Sequence, residues 1–239
     1  MIPKKIHYIW LGGKRKSKLT ELCINTWKRN LPGYTIIEWN ESNLPLTELL
    51  QKNKFLKKCY ALKLWAFVSD YIRLYILLNE GGIYLDTDVE VIQSFDSFLS
   101  NDVFLGYEVD NYIGTAVIGA EPKNEFIKEL LSFYEKRIFE VDYFNNPIIF
   151  KKIIEDDSNS FNNLNIYSMS VFSPYDPACR DNKVIGTKDT CCIHWYTGDW
   201  NISLRGYVFL TTKHIKPGFK KVFACLRKTV GYFKQKKKK

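Results

Sequence analysis

The chain reads as an α/β protein on three observations. A strand–helix–strand run opens it over residues 5–39, the start of a layered fold. A long apolar helix then ends at Gly81-Gly82 and hands over to a short apolar strand. The 239 residues are 46% hydrophobic and 26% charged, which excludes wholesale disorder. A chain of this length can bury roughly 70–75% of its unfolded surface, enough for a proper core.

The elements follow in order. Lys5 to Leu11 reads as the first strand, closed by Gly12-Gly13. Ser17 to Asn30 is helical, with Leu19, Leu22, Cys23, Thr26 and Trp27 near one face. Pro32-Gly33 turns the chain into a second strand, Tyr34 to Trp39. Leu46 to Lys58 reads as one helix, and Ala61 to Asn79 as a longer, strongly apolar one capped by Gly81-Gly82. Ile83-Tyr84-Leu85 is a short buried strand that ends in Asp86-Thr87-Asp88. Strands are expected at 103–109 and 113–120, then helices at about 122–139 and 146–156. Residues 157–163 are polar and loop-like, and 166–172 and 191–194 are late strand candidates. There is no internal repeat and no linker that would split residues 1–212.

Charge is distributed unevenly. The net charge is +9, yet no acidic residue follows Asp199, while 12 of the 35 Lys and Arg do. The body is mildly acidic and the tail strongly basic, which is not the pattern of a uniformly basic nucleic-acid binder. Six scattered cysteines without a CxxC pair argue against a zinc knuckle. The N-terminal residues lack a signal-peptide core and no stretch is apolar enough to span a bilayer, so a reducing cytoplasm is expected.

Chemistry concentrates at Asp86 and Asp88. Two nearby carboxylates repel unless protons or a cation neutralise them, and a hard divalent ion with oxygen ligands suits them. A solvated turn is the plain alternative, since Asp is common in turns. Asp70 and Arg73 lie one helical turn apart inside an apolar helix, so they must pair, reach a polar cleft, or both. Trp10 ends the first strand, where ligands of open α/β sheets sit; it either stacks on a flat ligand or fills the core. His194 offers a metal ligand or a phosphate donor, or is structural; His7, on the first strand, reads as structural.

Four blocks carry a resemblance: Lys5-Ile-His-Tyr-Ile-Trp-Leu-Gly-Gly13, Ser69-Asp-Tyr-Ile-Arg73, Gly81-Gly-Ile-Tyr-Leu-Asp-Thr-Asp88, and Ile193-His194 through Gly198-Asp199-Trp200. Over roughly residues 1–200 the chain resembles the retaining glycosyltransferase family with a DXD sugar-binding region. That family includes capsular polysaccharide transferases and initiating α-1,6-mannosyltransferases, and more distantly the glucosyltransferase domains of large clostridial toxins. The resemblance implies a GT-A type, Rossmann-like nucleotide-sugar-binding fold with Mn²⁺ or Mg²⁺. It implies that Trp10 stacks on the base of a UDP- or GDP-sugar, with Leu11, Gly12, Tyr84 and Thr87 lining the donor site. Asp70 and Arg73 would hold the donor sugar, and Asp86 would contact ribose and sugar. Asp88, with Asp86 and His194, would bind the metal, and Trp200 would lie on the pyrophosphate side.

The expected function is hexose transfer to a glycan acceptor, a lipid-linked capsular or surface polysaccharide intermediate. A toxin-like enzyme with a protein acceptor would share the chemistry, and a nucleotide-sugar hydrolase would differ only in its acceptor. A nucleic-acid binder using the basic tail would leave Asp86 and Asp88 unexplained. Two regions are expected: a catalytic domain over 1–212 and a basic amphipathic segment over 213–239. In the latter, Phe219, Val222, Phe223, Leu226, Val230 and Phe233 recur at helical spacing, flanked by Lys and Arg. Pro217-Gly218 marks its start and Gly231 is expected to weaken it. That segment places the protein at the inner face of the cell membrane, peripherally bound to anionic lipid, with no nucleic-acid partner.

Overall fold

A computed structural model of the chain describes all residues except 109–111, 157–160, 162, 179–184, 199–201 and 237–239. Eight strands and nine helices follow in the order β1 (Lys5–Ile9), α1 (Lys18–Asn30), β2 (Thr35–Trp39), α2 (Leu46–Lys52), α3 (Lys54–Ala61), α4 (Trp65–Glu80), β3 (Gly82–Leu85), β4 (Val89–Val91), β5 (Val103–Tyr107), β6 (Ile113–Ala120), α5 (Glu125–Lys136), α6 (Asn146–Asp156), β7 (Leu164–Tyr167), α7 (Met169–Phe172), β8 (Cys192–His194), α8 (Leu204–Thr212) and α9 (Phe219–Lys236), among the described residues.

A six-stranded sheet runs in the order β2-β1-β3-β6-β5-β7. β1 pairs parallel with β2 and β3, whereas β6 runs antiparallel to both β3 and β5. The alternation of side chains along each strand sorts them between two cores. Ile6, Tyr8, Ile83 and Leu85 pack toward α1 and the small β4–β8 ladder. Ile9 and Tyr84 face the other way, toward α3, α4, α5 and α6. The parity of β3 therefore aims Tyr84 at α4, the helix that carries Asp70 and Arg73.

Local chemistry explains the boundaries. Ser17 caps α1, its hydroxyl accepting from the Thr20 N–H at 3.1 Å. Gly81 ends α4 with φ 59°, and Gly82 follows at φ 105°. A Cβ on Gly82 would stand 2.8 Å from His7 Nε2, so this pair lets the chain turn tightly against β1 on its way into β3. Gly119 faces Phe104 across β5–β6, where a Cβ would lie 2.0 Å from that ring.

Several expected elements are corrected. Residues 46–58 are not one helix, because the Asn53 side chain accepts from the Leu56 N–H and caps a new helix. The long helix begins at Trp65 rather than Ala61, after Lys63 at φ 55°. Residues 166–172 divide between the end of β7 and α7, because Ser168 leaves the strand and serves as N-cap. α5 starts at Glu125, since Asn124 accepts from the Phe126 and Ile127 N–H groups. β4 and α8 were not anticipated. α9 passes through Gly231 without interruption.

Candidate active site

The two acidic motifs meet at the C-terminal end of β3, beside the middle of α4. Asp70 and Arg73 share one face of α4, and Tyr84 and Asp86 share one side of β3. Arg73 is 1% exposed and Asp70 2%. The guanidinium forms ion pairs with Asp70 at 3.0 Å and with Asp86 at 3.3 Å, and donates to the Thr115 carbonyl at 2.6 Å. It also lies over the Tyr84 ring, 4.4 Å from its centroid, while the Tyr84 hydroxyl donates to Asp86 at 2.7 Å. Burial pushes the Asp70 carboxyl up to about 7, against the pull of Arg73. Such a pair is a costly thing to bury and contributes little net stability. Its evident effect is positional: it presents Asp86, which is only partly buried, at the C-terminal end of the central strand β3.

Asp88 belongs to a second cluster. The chain turns after Leu85, with the Val89 N–H donating to the Asp86 carbonyl, and β4 then pairs antiparallel with β8 in the register Val89↔His194. That ladder sets His194 Nε2 3.5 Å from Asp88 Oδ1. Asp88 Oδ2 accepts from both the N–H and the hydroxyl of Thr197, each at 2.9 Å. Burial works against the ionised Asp88, yet His194 and Thr197 hold its carboxyl down at about 2. Burial likewise opposes a charged His194, but Asp88, Asp86 and Glu108 keep its pKa above the ordinary value.

Ligand atoms of Asp86, Asp88 and His194 all lie within 4.8 Å of one another. Two carboxylates and an imidazole form a donor set that fits Mn²⁺ or Mg²⁺. His194 turns Nε2 toward Asp88, and its other ring nitrogen, Nδ1, is buried without a hydrogen-bond partner in the protein.

The remaining expected site residues lie at the end of β1, the strand beside β3. Trp10 donates its indole N–H to the Lys14 carbonyl at 2.7 Å and borders a cavity of about 410 Å³ with Lys14, Arg15, Glu38 and Asn40. Lys16 stands 5.4 Å above the Trp10 ring. Leu11 packs against the α4 side of the sheet. The Gly12 N–H donates to Glu41, and a Cβ there would meet Trp65 at 2.9 Å. Thr87 sits half-buried in the turn between the two aspartates. Trp200 lies outside the described residues. His7 is structural, fully buried between Trp39 and Gly81.

Sequence reasoning missed three residues. Asn146 donates to Asp70 at 2.8 Å and accepts from the Tyr134 hydroxyl, so it fixes the buried carboxylate from the far side. Thr197 orients Asp88. Glu108, just past β5, has its pKa raised by burial; Tyr196 hydrogen-bonds it at 3.4 Å, and its charge is felt by His194. The signal for Glu108 was a lone carboxylate at the end of the apolar run 103–107.

Comparison with known proteins agrees with this geometry. Residues 17–105 match the family model described as a glycosyltransferase sugar-binding region containing a DXD motif. The chain is 27% identical over 171 residues to the subversion of eukaryotic traffic protein A of Legionella pneumophila, covering 60% of this chain and 26% of that protein. It is 24% identical over 226 residues to the mannosyl phosphorylinositol ceramide synthase CSH1 of Saccharomyces cerevisiae, covering 84% of this chain and 54% of that one. The chain thus spans about a quarter of the first relative and half of the second. Among solved structures, the PaToxG glycosyltransferase superposes with a TM-score of 0.52 at 22% identity, over 65% of this chain and 70% of that one. That likeness is one of fold. The fold is therefore like that of GT-A glycosyltransferases, and Asp86-Thr87-Asp88 lies within the stretch that is similar to the DXD-containing glycosyltransferase sugar-binding region.

Proposed function

We propose that the protein is a metal-dependent, retaining glycosyltransferase that moves a hexose from a UDP- or GDP-sugar to a glycan acceptor. The observation that carries this reading is the convergence of Asp86, Asp88 and His194 beside the buried Asp70–Arg73 pair. Asp86, Asp88 and His194 would hold Mn²⁺ or Mg²⁺, which when bound neutralises charge growing on the departing diphosphate. Asp88 is ionised across the working pH range because His194 and Thr197 stabilise its charge. Asp86 is held toward the donor by Tyr84 and Arg73, so no reorganisation is needed as charge develops. Trp10 and its cavity would receive the nucleobase, with Leu11, Gly12 and Thr87 along the donor. Asp70 and Arg73 would act on the sugar chiefly from beneath, through Asp86.

The acceptor we favour is lipid-linked, a capsular or surface polysaccharide intermediate at the cytoplasmic face of the membrane. The yeast relative supports a lipid acceptor, since its name places a mannosyl group on a phosphorylinositol ceramide. A protein acceptor is the second reading, supported by the name of the Legionella relative, which concerns eukaryotic traffic. A panel of UDP- and GDP-sugars read by thermal shift with Mn²⁺ tests the donor, because a true donor stabilises only the folded state. Product analysis with and without a polyprenyl-phosphate-linked glycan then separates transfer from hydrolysis. No shift from any nucleotide sugar would refute the reading.

A further inference from the structure

α9 is amphipathic in the wrong sense for a helix that packs on its own domain. Its face toward α8 holds Lys221, Ala224, Cys225, Lys228, Thr229, Gly231 and Tyr232, all half-buried. Three contacts dock it: the Tyr232 hydroxyl donates to the Ile202 carbonyl at 3.0 Å, Tyr207 and Tyr232 meet with ring centroids 5.5 Å apart, and Cys225 Sγ lies 3.7 Å from the Thr212 hydroxyl. The opposite face carries Phe219, Val222, Phe223, Leu226, Val230 and Phe233, each between 54% and 88% exposed. At 3.6 residues per turn these six fall within about 100° of arc, a continuous apolar stripe. Most large exposed apolar residues among the described ones belong to this stripe. A contiguous exposed patch of this kind marks an interaction surface.

The charges beside the stripe say what covers it. Lys220, Arg227 and Lys234 are spaced seven apart, all exposed, and run down one flank. Lys221 and Lys228 lie on the body-facing side, nearly opposite the stripe, so the cationic border is the single row Lys220, Arg227 and Lys234. α9 contains no acidic residue, and the residues after it are lysines. A row of cations bordering a phenylalanine–leucine stripe matches a bilayer surface, with phosphates at the headgroup level and acyl chains just below. The helix is about 27 Å long, and no helix among the described residues is long and apolar enough to cross a membrane.

We propose that α9 is a membrane-docking surface, lying in the plane of an anionic bilayer with Phe219, Val222, Phe223, Leu226, Val230 and Phe233 in the acyl region. The docking rests on α9 alone and is independent of the catalytic reading. α9 is seated on α8, and α8 is seated on the body where Gly206 lies against Leu64, one residue before α4. The bilayer is thereby held at a fixed orientation to the helix that carries Asp70 and Arg73.

The test is flotation of the full-length protein with vesicles of phosphatidylcholine and phosphatidylglycerol, and with phosphatidylcholine alone, at low and high salt. The wild type should float with the anionic vesicles at low salt and be released by high salt. Phe223→Asp with Leu226→Asp should lower binding roughly tenfold or more, because it places charges in the acyl region. Lys220→Gln with Arg227→Gln and Lys234→Gln should lower binding to anionic vesicles only. All these positions are exposed, and unchanged melting of each variant verifies its fold. Equal flotation of wild type and the double aspartate variant, or no flotation at low salt, would overturn the proposal. So would a dimer in sedimentation that the aspartate variant dissolves without any flotation, or duplex DNA binding by all variants without flotation.

Discussion

His7→Gln gives a sharp stability test of the frame beneath the site. Trp39 donates its indole N–H to His7 Nδ1 at 3.0 Å, and an indole nitrogen can only donate, so Nδ1 must accept. The ring proton therefore sits on Nε2, which donates to the Gly81 carbonyl at 2.8 Å. Protonating Nδ1 would lose the first bond and place a charge in a fully buried pocket. Burial, aided by Lys5, accordingly pushes the His7 pKa down from 6.5 to about 4, although the Gly81 carbonyl and Glu80 pull the other way. Below its ordinary pKa the unfolded chain binds a proton that the folded chain refuses. The contribution of His7 is therefore fully present above about pH 6.5 and is lost as pH falls toward 4. Between about pH 7.5 and 4.5 that loss amounts to about 2.5 kcal/mol. Asp70 acts in the opposite sense: its carboxyl is raised to about 7, so its folded state is favoured below about pH 4 and loses that advantage as pH rises. Comparing wild type with His7→Gln at each pH cancels the Asp70 contribution. Urea unfolding of the metal-free protein from about pH 4.5 to 7.5 should show the wild-type advantage shrinking by about 2.5 kcal/mol on acidification. A difference constant to within about 0.5 kcal/mol across that range would refute the neutral, doubly bonded imidazole.

Asp88→Asn should lower the melting temperature, because the charge that His194 and Thr197 stabilise is lost, yet leave a folded protein whose metal-dependent turnover is down by about a hundredfold or more, read as Mn²⁺-dependent release of nucleoside diphosphate. Trp10→Ala should weaken UDP or GDP binding by about 1–3 kcal/mol in calorimetry, on the scale of base–aromatic stacking; unchanged affinity would make Trp10 a purely structural residue. Gly119→Ala should destabilise the protein by about 1–3 kcal/mol in urea, because the new methyl group meets the Phe104 ring in a closed core.

Periodicity and punctuation made most of the fold legible. Apolar spacing in residues 17–30 and 61–79, and the glycine pair at 81–82, located α1, α4 and β3 to within a few residues. The failures arose where one polar side chain overrode the apolar pattern. Asn53 ended one helix and its side chain capped the next; Ser168 sits at the N-cap position of α7 without a side-chain capping bond, in a segment whose residues would suit a continuous strand. β4 is three residues long and exists because β8, a hundred residues later, pairs with it, a contact that local pattern does not record. The site divides in the same way. Asp70, Arg73, Asp86 and Asp88 stood out because charge in an apolar context demands a reason. Asn146, Thr197 and Glu108 did not, because each acquires its role only from a neighbour distant in sequence.

The β4–β8 ladder limits how far this domain can be trimmed or recombined. The matched region ends at residue 105, yet the described partners of the Asp88 carboxylate, His194 and Thr197, come from residues 194–197. A fragment cut to that region would keep the DXD sequence and lose the imidazole and threonine that hold its second aspartate. Chimeras meant to exchange acceptor preference must therefore transplant β4 and β8 together. A cut between them would leave Asp88 as an unsupported carboxylate on a loose turn.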